Sequence, residues 1–303
     1  MNTPYSFEHD AYAASLHERF AHLGDGDESG ATVKVAGRVM LLRTQGKLAF
    51  ATMRDSSGEI QLFALSAVTS EFDDFVKLHL GDWVGVEGEV VRTRRGELSV
   101  KVGFWQLLAE AKLNFGDKWA GISDHELRYR HREADLWANP ESRLALTRRS
   151  ELVRSMRQRL WERSFLEVET PILNAIPSGA AARPFVTHHN ALDAEFFLRI
   201  APELWLKRLV VGGFERVFEI GRLFRNEGIS PRHNPEFTTL ELYTAYWDFN
   251  DMMALTEELV ADIARDVLGT TEVSYQGRPF SFAAPWPRRS MSDITSEKIG
   301  EEV

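Results

Sequence analysis

Arg222-Leu-Phe-Arg-Asn-Glu-Gly228 runs directly into Ile229-Ser-Pro-Arg-His-Asn-Pro-Glu-Phe237 and Thr238-Thr-Leu-Glu-Leu-Tyr243, the densest stretch of chemistry-bearing residues in the chain. A strand period of two puts Leu223, Arg225 and Glu227 on one face and Phe224, Asn226 and Gly228 on the other. On the return strand Thr239, Glu241 and Tyr243 share a face. Arg225 then offers a planar donor fork to a phosphate. Glu227 accepts from a base edge or fixes another donor. Arg232 and His233, on the turn, reach outer phosphates, and Phe237 stacks on a purine. The carboxylate of Glu241 and the phenol of Tyr243 suit a ligand that carries an ammonium. An internal Arg–Glu network in a β-sheet explains Arg225 and Glu227 alone; Arg222, Arg232, His233 and Phe237 beside them favour the nucleotide reading. Neither GxxxxGK[ST] nor GxGxxG occurs, so a nucleotide site here has to be built on an antiparallel sheet.

Upstream, Arg199-Ile-Ala-Pro-Glu-Leu-Trp-Leu-Lys-Arg208 predicts a helix over Pro202 to Val211 that Glu203 opens. A carboxylate is comfortable at that positive end, where it caps the helix or neutralises a substrate amine. Ser178-Gly-Ala-Ala-Ala-Arg-Pro-Phe185 is a small-residue loop that permits close ligand approach. His188 and His189 follow it without carboxylates spaced to complete a metal site. The segments FFLRIA, VFEIGRLFRNEG and EFTTLELYTAYW read as sheet strands, and the alternation from Phe165 to Thr170 reads as a strand stopped by Pro171. Pro171 fits a helix or subunit contact better than a substrate contact. Pro140 opens a long helix with a partial apolar stripe of Leu144, Val153, Met156 and Leu160. Its seven arginines from Arg143 to Arg163 face solvent, reach acidic partners or meet the acceptor end of an RNA. A second helix runs from Phe249 to about Leu268 and buries Met252, Leu255, Leu259, Ile263 and Val267. The tail from Gly269 reads as short strands and proline turns with no clear closing element.

From Thr32 the period is two, with Val33, Val35, Gly37, Val39 and Leu41 on one face. The strand-like LAFATMRD, EIQLFAL, DWVGVEGEVVRT and ELSVKVGFWQLL follow. Five strands joined by glycine-containing turns predict a small closed barrel, with a helix over Glu71 to Leu80 across one end. Arg38, Arg43 and Lys47 lie in or beside the first hairpin, Arg92, Arg94 and Arg95 near the last, and Phe50 and Phe63 between them. Such a barrel stacks loose RNA bases on its aromatic rings; the same pattern also fits core phenylalanines and solvated arginines on a scaffold. Ahead of it lie a weak amphipathic helix, with Tyr12, Leu16, Phe20 and Leu23, and a flexible acidic turn from Gly24 to Gly30.

Forty-five acidic and thirty-six basic residues give the 303-residue chain a net charge of −9. That argues against a protein that coats nucleic acid by bulk attraction but leaves a local basic face open. No apolar run approaches the roughly 18 to 20 residues that span a bilayer, so no membrane partner is expected. Without cysteine there is no disulfide, thiolate nucleophile or Cys-ligated metal. Glu8 and Asp10, with no apolar core near them, do not read as a signal peptide, and the expected location is the cytoplasm.

The chain resembles the bacterial-type class II lysyl-tRNA synthetases over positions 31 to 303. Phe165-Leu-Glu-Val-Glu-Thr-Pro171 is similar to motif 1 of that family, and Phe224-Arg-Asn-Glu-Gly228 through His233 to Glu241 is similar to motif 2. GAAARPFVTHHNALD, RIAPELWLKRLVVGGFERVFEIGRLFRNEG and ELYTAY carry the lysine-specific likeness. The resemblance implies an α+β fold class: an N-terminal five-stranded OB-fold β-barrel followed by a partial class II antiparallel-sheet catalytic domain. The expected organisation is an extension over 1–30, the anticodon-binding barrel over 31–110, a linker over 111–140 and an incomplete catalytic domain over 141–303. It implies ATP-dependent activation of L-lysine and its transfer to tRNA(Lys). ATP is expected on Arg225, Glu227, Arg232, His233 and Phe237, with Arg225 catalytic at the α-phosphate. L-lysine is expected on Gly179, Glu203, Glu241 and Tyr243, and tRNA on Arg38, Arg43, Lys47, Phe50 and Phe63, with Pro171 at a dimer interface.

The family continues well beyond the position that matches Val303, and its Mg2+-binding glutamates and motif 3 arginine lie in that later part. Carboxylate ligands for Mg2+ are therefore expected to be missing. The chain alone is expected to be weak or inactive, and to work as a homodimer or with a complementing C-terminal fragment. Two further readings stay open: a catalytically inactive remnant that binds tRNA or a subunit, and a ligase that attaches lysine to a protein. Paralogues of the last kind lack the barrel.

Overall fold

A computed structural model describes residues 4–112 and 122–300. Of the expected 111–140 linker, residues 113–121 lie outside the described residues, as do residues 1–3 of the extension and the last three of the chain. The chain forms two compact units, Met1–Pro140 and Glu141–Val303.

The first unit holds α1 (Ala13–Arg19), β1 (Glu28–Gln45), β2 (Leu48–Arg54), β3 (Glu59–Leu65), α2 (Phe72–Phe75), β4 (Trp83–Arg92), β5 (Leu98–Ala109), α3 (His125–Arg130) and α4 (Arg132–Ala138). Its strand pairings run in a ring, β1-β2-β3-β5-β4 and back to β1. The expected fold class needs correction at the seam of that ring. β3 meets β5 in parallel, through Gln61–Ser99, Leu62–Val100 and Phe63–Lys101, whereas β4 and β5 pair antiparallel from Trp83–Ala109 to Arg92–Leu98. The wall is therefore a long antiparallel ladder with a short parallel join.

Val33, Val35 and Val39 of β1 point into the core with Ala51, Met53, Ile60 and Leu62. An irregularity between Val39 and Leu41 inserts one residue, which reverses the alternation beyond it. Leu42, not the expected Leu41, then packs against the core. The expected helix over 71–80 contracts to α2, although Phe72, Phe75 and Leu78 are buried as a helical spacing requires. Leu16 and Phe20 of the N-terminal stretch share this core, and Tyr12 is exposed. The acidic turn is fastened rather than loose: Gly26 N–H donates to Arg92 O, and Gly24 N–H to Asp27 Oδ2.

Asp55 holds the β2–β3 turn and α1 together. Its Oδ1 accepts from Ser57 N–H at 2.7 Å, Ser57 Oγ at 2.8 Å and Gly58 N–H at 3.0 Å, and its Oδ2 from Ala13 N–H at 2.6 Å. Ala13 is the first residue of α1, so Asp55 satisfies an orphan donor that the helix cannot. In α4 the buried Asp135 accepts from Arg128, Arg132 and Asn139.

The second unit holds α5 (Pro140–Glu162, opening on the proline that ends the first), β6 (Leu166–Glu167), β7 (Leu173–Asn174), β8 (Val186–His189), β9 (Ala194–Leu198), α6 (Glu203–Val211), β10 (Arg216–Phe224), β11 (Glu236–Thr244), α7 (Phe249–Leu268), β12 (Glu272–Tyr275), β13 (Arg278–Ser281) and α8 (Met291–Ile299). The expected single antiparallel sheet is also corrected. β10 and β11 pair antiparallel, but β6 joins β10 in parallel through Val217–Leu166 and Phe218–Glu167. The FFLRIA strand, β9, belongs to a separate sheet in the order β7-β9-β8.

One face of β10–β11, with Phe218, Ile220, Leu240 and Leu242, packs with Leu160 of α5 and with Leu255, Leu259 and Ile263 of α7. Ion pairs tie the two helices: Arg159 to Asp266 at 2.6 Å and Arg163 to Asp262 at 2.9 Å. Leu144 of the expected stripe is exposed. The tail does close on a helix, α8, capped by Ser290 Oγ on Asp293 N–H and ended by Gly300 in the left-handed region.

Burial alone would push the Asp55 carboxyl up, but the donors from Ala13, Ser57 and Gly58 outweigh it and hold it below the ordinary aspartate range. Its contribution to stability is complete above the unfolded-state aspartate pKa and is lost as pH falls through the lower folded value. Asp55→Ala is expected to cost about 1–3 kcal/mol at neutral pH in urea denaturation. The gap from wild type should narrow below about pH 4; an equal gap at pH 3 and pH 7 would contradict this assignment.

Candidate functional site

The open face of the β10–β11 hairpin is set by register. Val217–Tyr243, Glu219–Glu241, Gly221–Thr239 and Leu223–Phe237 are opposed pairs, so their side chains lie on the face away from the α5–α7 core. Three carboxylates gather at one end of this face. Glu219 is buried and ion-paired with the buried Arg199 at 2.5 Å. Glu203, at the start of α6, does not cap its helix and instead accepts from Lys207 Nζ at 2.6 Å. Glu241 accepts from Tyr243 Oη at 2.9 Å. Burial pushes the Glu241 carboxyl above the ordinary glutamate range; the phenol opposes that rise, the charges of Glu203 and Glu219 add to it, and Lys207 partly offsets it. Tyr243 is pushed up by burial and then by the Glu241 carboxylate.

Gly179 adopts φ +91°, in the region that favours glycine, and a Cβ there would lie 3.0 Å from Ala201 Cβ and 3.4 Å from Glu203 Cβ. The small-residue loop thus meets the start of α6, and Trp205 Nε1 donates to Asn174 Oδ1 at 2.8 Å to hold the helix. The structure brings Gly179, Glu203, Glu241 and Tyr243 into one neighbourhood.

At the other end of the face β10 stops at Phe224, so Arg225 and Glu227 lie beyond the strand on which the period-two argument placed them. Arg225 nevertheless stays in line, because its N–H donates to Pro235 O at 2.8 Å. Its guanidinium lies 5.3 Å from the Phe237 ring centroid, and its Nε is buried with no hydrogen-bond partner among the described residues. Arg232 and His233 are exposed on the connecting turn, where His233 Nδ1 lies 2.8 Å from Ser230 Oγ. Glu227 is exposed on the same turn. An orphaned guanidinium donor beside an aromatic ring fits a phosphate-bearing purine nucleotide. A metal fits less well: among the described residues no group of three or more His, Asp or Glu side chains is placed to hold one. His188 pairs with Asp193 at 3.4 Å on exposed β8. Pro171 is exposed beside exposed Ile172 and Leu173.

In the first unit, Arg43–Phe50, Phe50–Phe63 and Phe63–Lys101 are opposed pairs across β1, β2, β3 and β5. Their neighbours Ala49, Ala51, Leu62 and Ala64 fill the interior, so this row lies on the outer wall. The Phe50 and Phe63 rings stack with centroids 5.0 Å apart at 10°. Lys47 is exposed at the hairpin tip. Arg38 does not join this row. Its guanidinium lies over the ring of Trp83, at 5.0 Å, and that of Trp137, at 5.6 Å, and burial lowers its pKa.

Residues 124–302 match the family of tRNA synthetases class II (D, K and N). The chain belongs to that family. Residues 33–108 of this synthetase-family chain match the OB-fold nucleic acid binding domain. It is 50% identical over 301 residues to the lysine–tRNA ligase of Synechococcus sp. (strain RCC307), covering 98% of this chain and 60% of that protein. It is 49% identical over 306 residues to the lysine–tRNA ligase of Nostoc punctiforme (strain ATCC 29133 / PCC 73102), covering 98% of this chain and 54% of that protein. The chain therefore spans little more than half the length of these relatives. Among the described residues no helix is long and apolar enough to cross a membrane.

The synthetase face also depends on residues that sequence reasoning passed over. Arg199 Nε donates to Arg222 O at 2.9 Å and its Nη1 to Thr170 O and Oγ1, while Thr170 Oγ1 donates to Glu219 Oε2 at 2.6 Å. Gly221 makes this possible, since a Cβ there would lie 2.2 Å from Arg199 Nη2. Lys207 had a legible signal, the i,i+4 spacing from Glu203. Arg199 and Glu219 had none, because only the folded sheet pairs them.

Gly221→Ala is expected to destabilise the chain by about 1–3 kcal/mol in thermal or urea unfolding. Combined with Arg199→Met, which removes the clashing group, it should add less than the sum of the two single changes. Strict additivity would mean that Arg199 does not occupy the space above Gly221.

Proposed function

We propose that this chain takes part in joining L-lysine to tRNA(Lys) at the expense of ATP, with both small ligands on the β10–β11 face and the tRNA anticodon on the outer wall of the first unit. The observation that carries the reading is the polarity of that face. Its acidic end, with Glu203, Glu241 and Tyr243, suits ammonium groups, and its other end offers Arg225 Nε, buried beside Phe237 with no hydrogen-bond partner among the described residues. Four residues of strand, about 13 Å, separate Phe237 from Glu241. An amino acid lying along the face with its ammonium groups at the acidic end presents its carboxylate toward Arg225.

In this reading Glu241 and Tyr243 take the side-chain ammonium of lysine, and Glu203 takes the α-ammonium beside Gly179. Arg225 holds the α-phosphate of ATP, Phe237 stacks on adenine, Glu227 addresses the base edge, and Arg232 and His233 reach the distal phosphates. The carboxylate oxygen bonds to the α-phosphorus as the bond to pyrophosphate breaks, and Arg225 stabilises the negative charge that builds there. No side chain acts as nucleophile. A hydroxyl of the terminal ribose of tRNA then takes the lysyl group as an ester, and AMP leaves. The family resemblance also implies Mg2+. Pro171 and its exposed apolar neighbours are the proposed contact for a second copy.

The test is calorimetric titration of the full chain with L-lysine and with ATP. Glu241→Gln should weaken L-lysine roughly tenfold or more, the scale of a lost charged hydrogen bond. Arg225→Ala should weaken ATP while sparing L-lysine. Because the Glu241 carboxyl is raised, affinity for L-lysine should fall as pH drops through a range above that of an ordinary glutamate, and Glu241→Gln should abolish that slope. Equal binding of L-norleucine, which lacks the side-chain ammonium, would defeat the pocket assignment.

For the outer wall, Phe63→Ala should weaken an anticodon stem-loop of tRNA(Lys) about fivefold or more, by loss of one base-stacking contact. Arg38→Ala should act on stability as well, because its guanidinium packs on the rings of Trp83 and Trp137. The same affinity for a scrambled loop would rule out specific recognition.

A further inference from the structure

The acidic end of the β10–β11 face already holds an ammonium group of its own. Lys207 Nζ lies 2.6 Å from Glu203 Oε1 and 5.7 Å from the centroid of the Tyr243 ring. A carboxylate on one side and an aromatic face on the other are the contacts that an amino-acid ammonium would make here. Lys207 reaches them from the turn of α6 after Glu203, on a side chain that is 52% exposed. Its head can therefore swing into solvent without disturbing the core. By contrast Arg199, also on this face, is buried and bonded to Thr170 and to Glu219 and Arg222 of β10, so it cannot leave.

We propose that Lys207 is a resident ammonium, which neutralises Glu203 in the free protein and is displaced from it by the α-amino group of the incoming amino acid. The proposal rests on the reading of Glu203, Glu241 and Tyr243 as the lysine pocket. Lys207 then acts as an internal competitor and a specificity-determining residue. A ligand that brings an ammonium to Glu203 replaces one ion pair by another. A ligand with a neutral group at that position leaves Glu203 to Lys207 and gains nothing there. The exchange is close to balanced because an exposed pair of this kind is weak.

The test labels amines in the full chain with a brief pulse of an acylating reagent and measures Lys207 modification by peptide mass mapping, relative to Lys77. That ratio cancels reagent consumed by added ligand. Saturating L-lysine should raise the Lys207 ratio severalfold, and Nα-acetyl-L-lysine, which has no free α-amine, should leave it unchanged. In calorimetry Lys207→Met should bind L-lysine about threefold tighter, the scale of an exposed ion pair. Lys207→Arg, which restores a cation, should return the affinity to that of wild type.

If L-lysine binds and the Lys207 ratio does not move, or if Lys207→Met binds L-lysine no more tightly, the resident-ammonium assignment is wrong while the pocket stands. If L-lysine does not bind the unaltered chain at all, the pocket assignment and this inference fall together. The labelling arm uses the unaltered chain, so it does not depend on how any variant folds.

Discussion

Arg199 lies flat across β10 at the one place in that strand where no side chain stands in its way. Its guanidinium is bonded to the carboxylate of Glu219, the hydroxyl and carbonyl of Thr170 and the carbonyl of Arg222. Removing one member of a buried pair leaves a charge uncompensated at a cost of about 3–5 kcal/mol, so this arrangement tolerates little displacement. Three pieces of chain are fixed by it: the segment after β6, the end of β9, and β10 at two positions. Arg199 is also four residues ahead of Glu203. The charge network therefore sets where α6 begins, and through it where the Glu203 carboxylate meets Tyr243 and Gly179.

Much of this unit was legible because its periodicity and its burial agree. α7 covers the predicted span from Phe249 to Leu268, and all five predicted apolar positions contribute to the core. β11 lies within the segment that alternation marks, β10 begins one residue before its own at Arg216, and α6 follows Pro202 directly. What failed were inferences about partners. Nothing in FFLRIA says that β9 pairs with β7 and β8 rather than with β10, because a strand's partners are chosen across the fold. β6 alternates for six residues but pairs for two, since its neighbour β10 meets it only at Val217 and Phe218. The inserted residue near Met40 likewise leaves no local mark, yet it exchanges Leu41 for Leu42 in the core.

The outer wall of the first unit shows the same division. The sequence left Phe50 and Phe63 open between core and surface, and the register decides it: they oppose one another on the wall, with small and aliphatic residues filling the interior behind them. Two half-buried aromatic rings on the outside of a small ring of strands cannot be explained by core packing. Arg38 went the other way. It belongs to the same basic hairpin in sequence, but its guanidinium lies over the rings of Trp83 and Trp137, and Arg54 donates to the Trp137 carbonyl at 2.9 Å. Its charge helps to hold α4. Trp137 lies about one hundred residues away from Arg38 in the chain, which is why no reading of the hairpin alone could separate Arg38 from Arg43.

The three carboxylates on the β10–β11 face have three different kinds of partner, and the difference orders their roles. Glu219 has a buried arginine that cannot withdraw, so it serves the scaffold. Glu203 has an exposed lysine on a flexible stem, a weak pair that another ammonium can replace. Glu241 has a phenol, which donates a hydrogen bond but brings no charge, and burial, with its two acidic neighbours adding to it, pushes its pKa up. Protein charge on this face is thus balanced at Glu219, exchangeable at Glu203 and short of a cation at Glu241. On the proposed reading of this face, a ligand with two ammonium groups removes the deficit at Glu241 with one and takes over Glu203 with the other, whereas a ligand with one can do only half of this. The proposed preference for a diamino acid then rests on how the carboxylates are paired in the free protein.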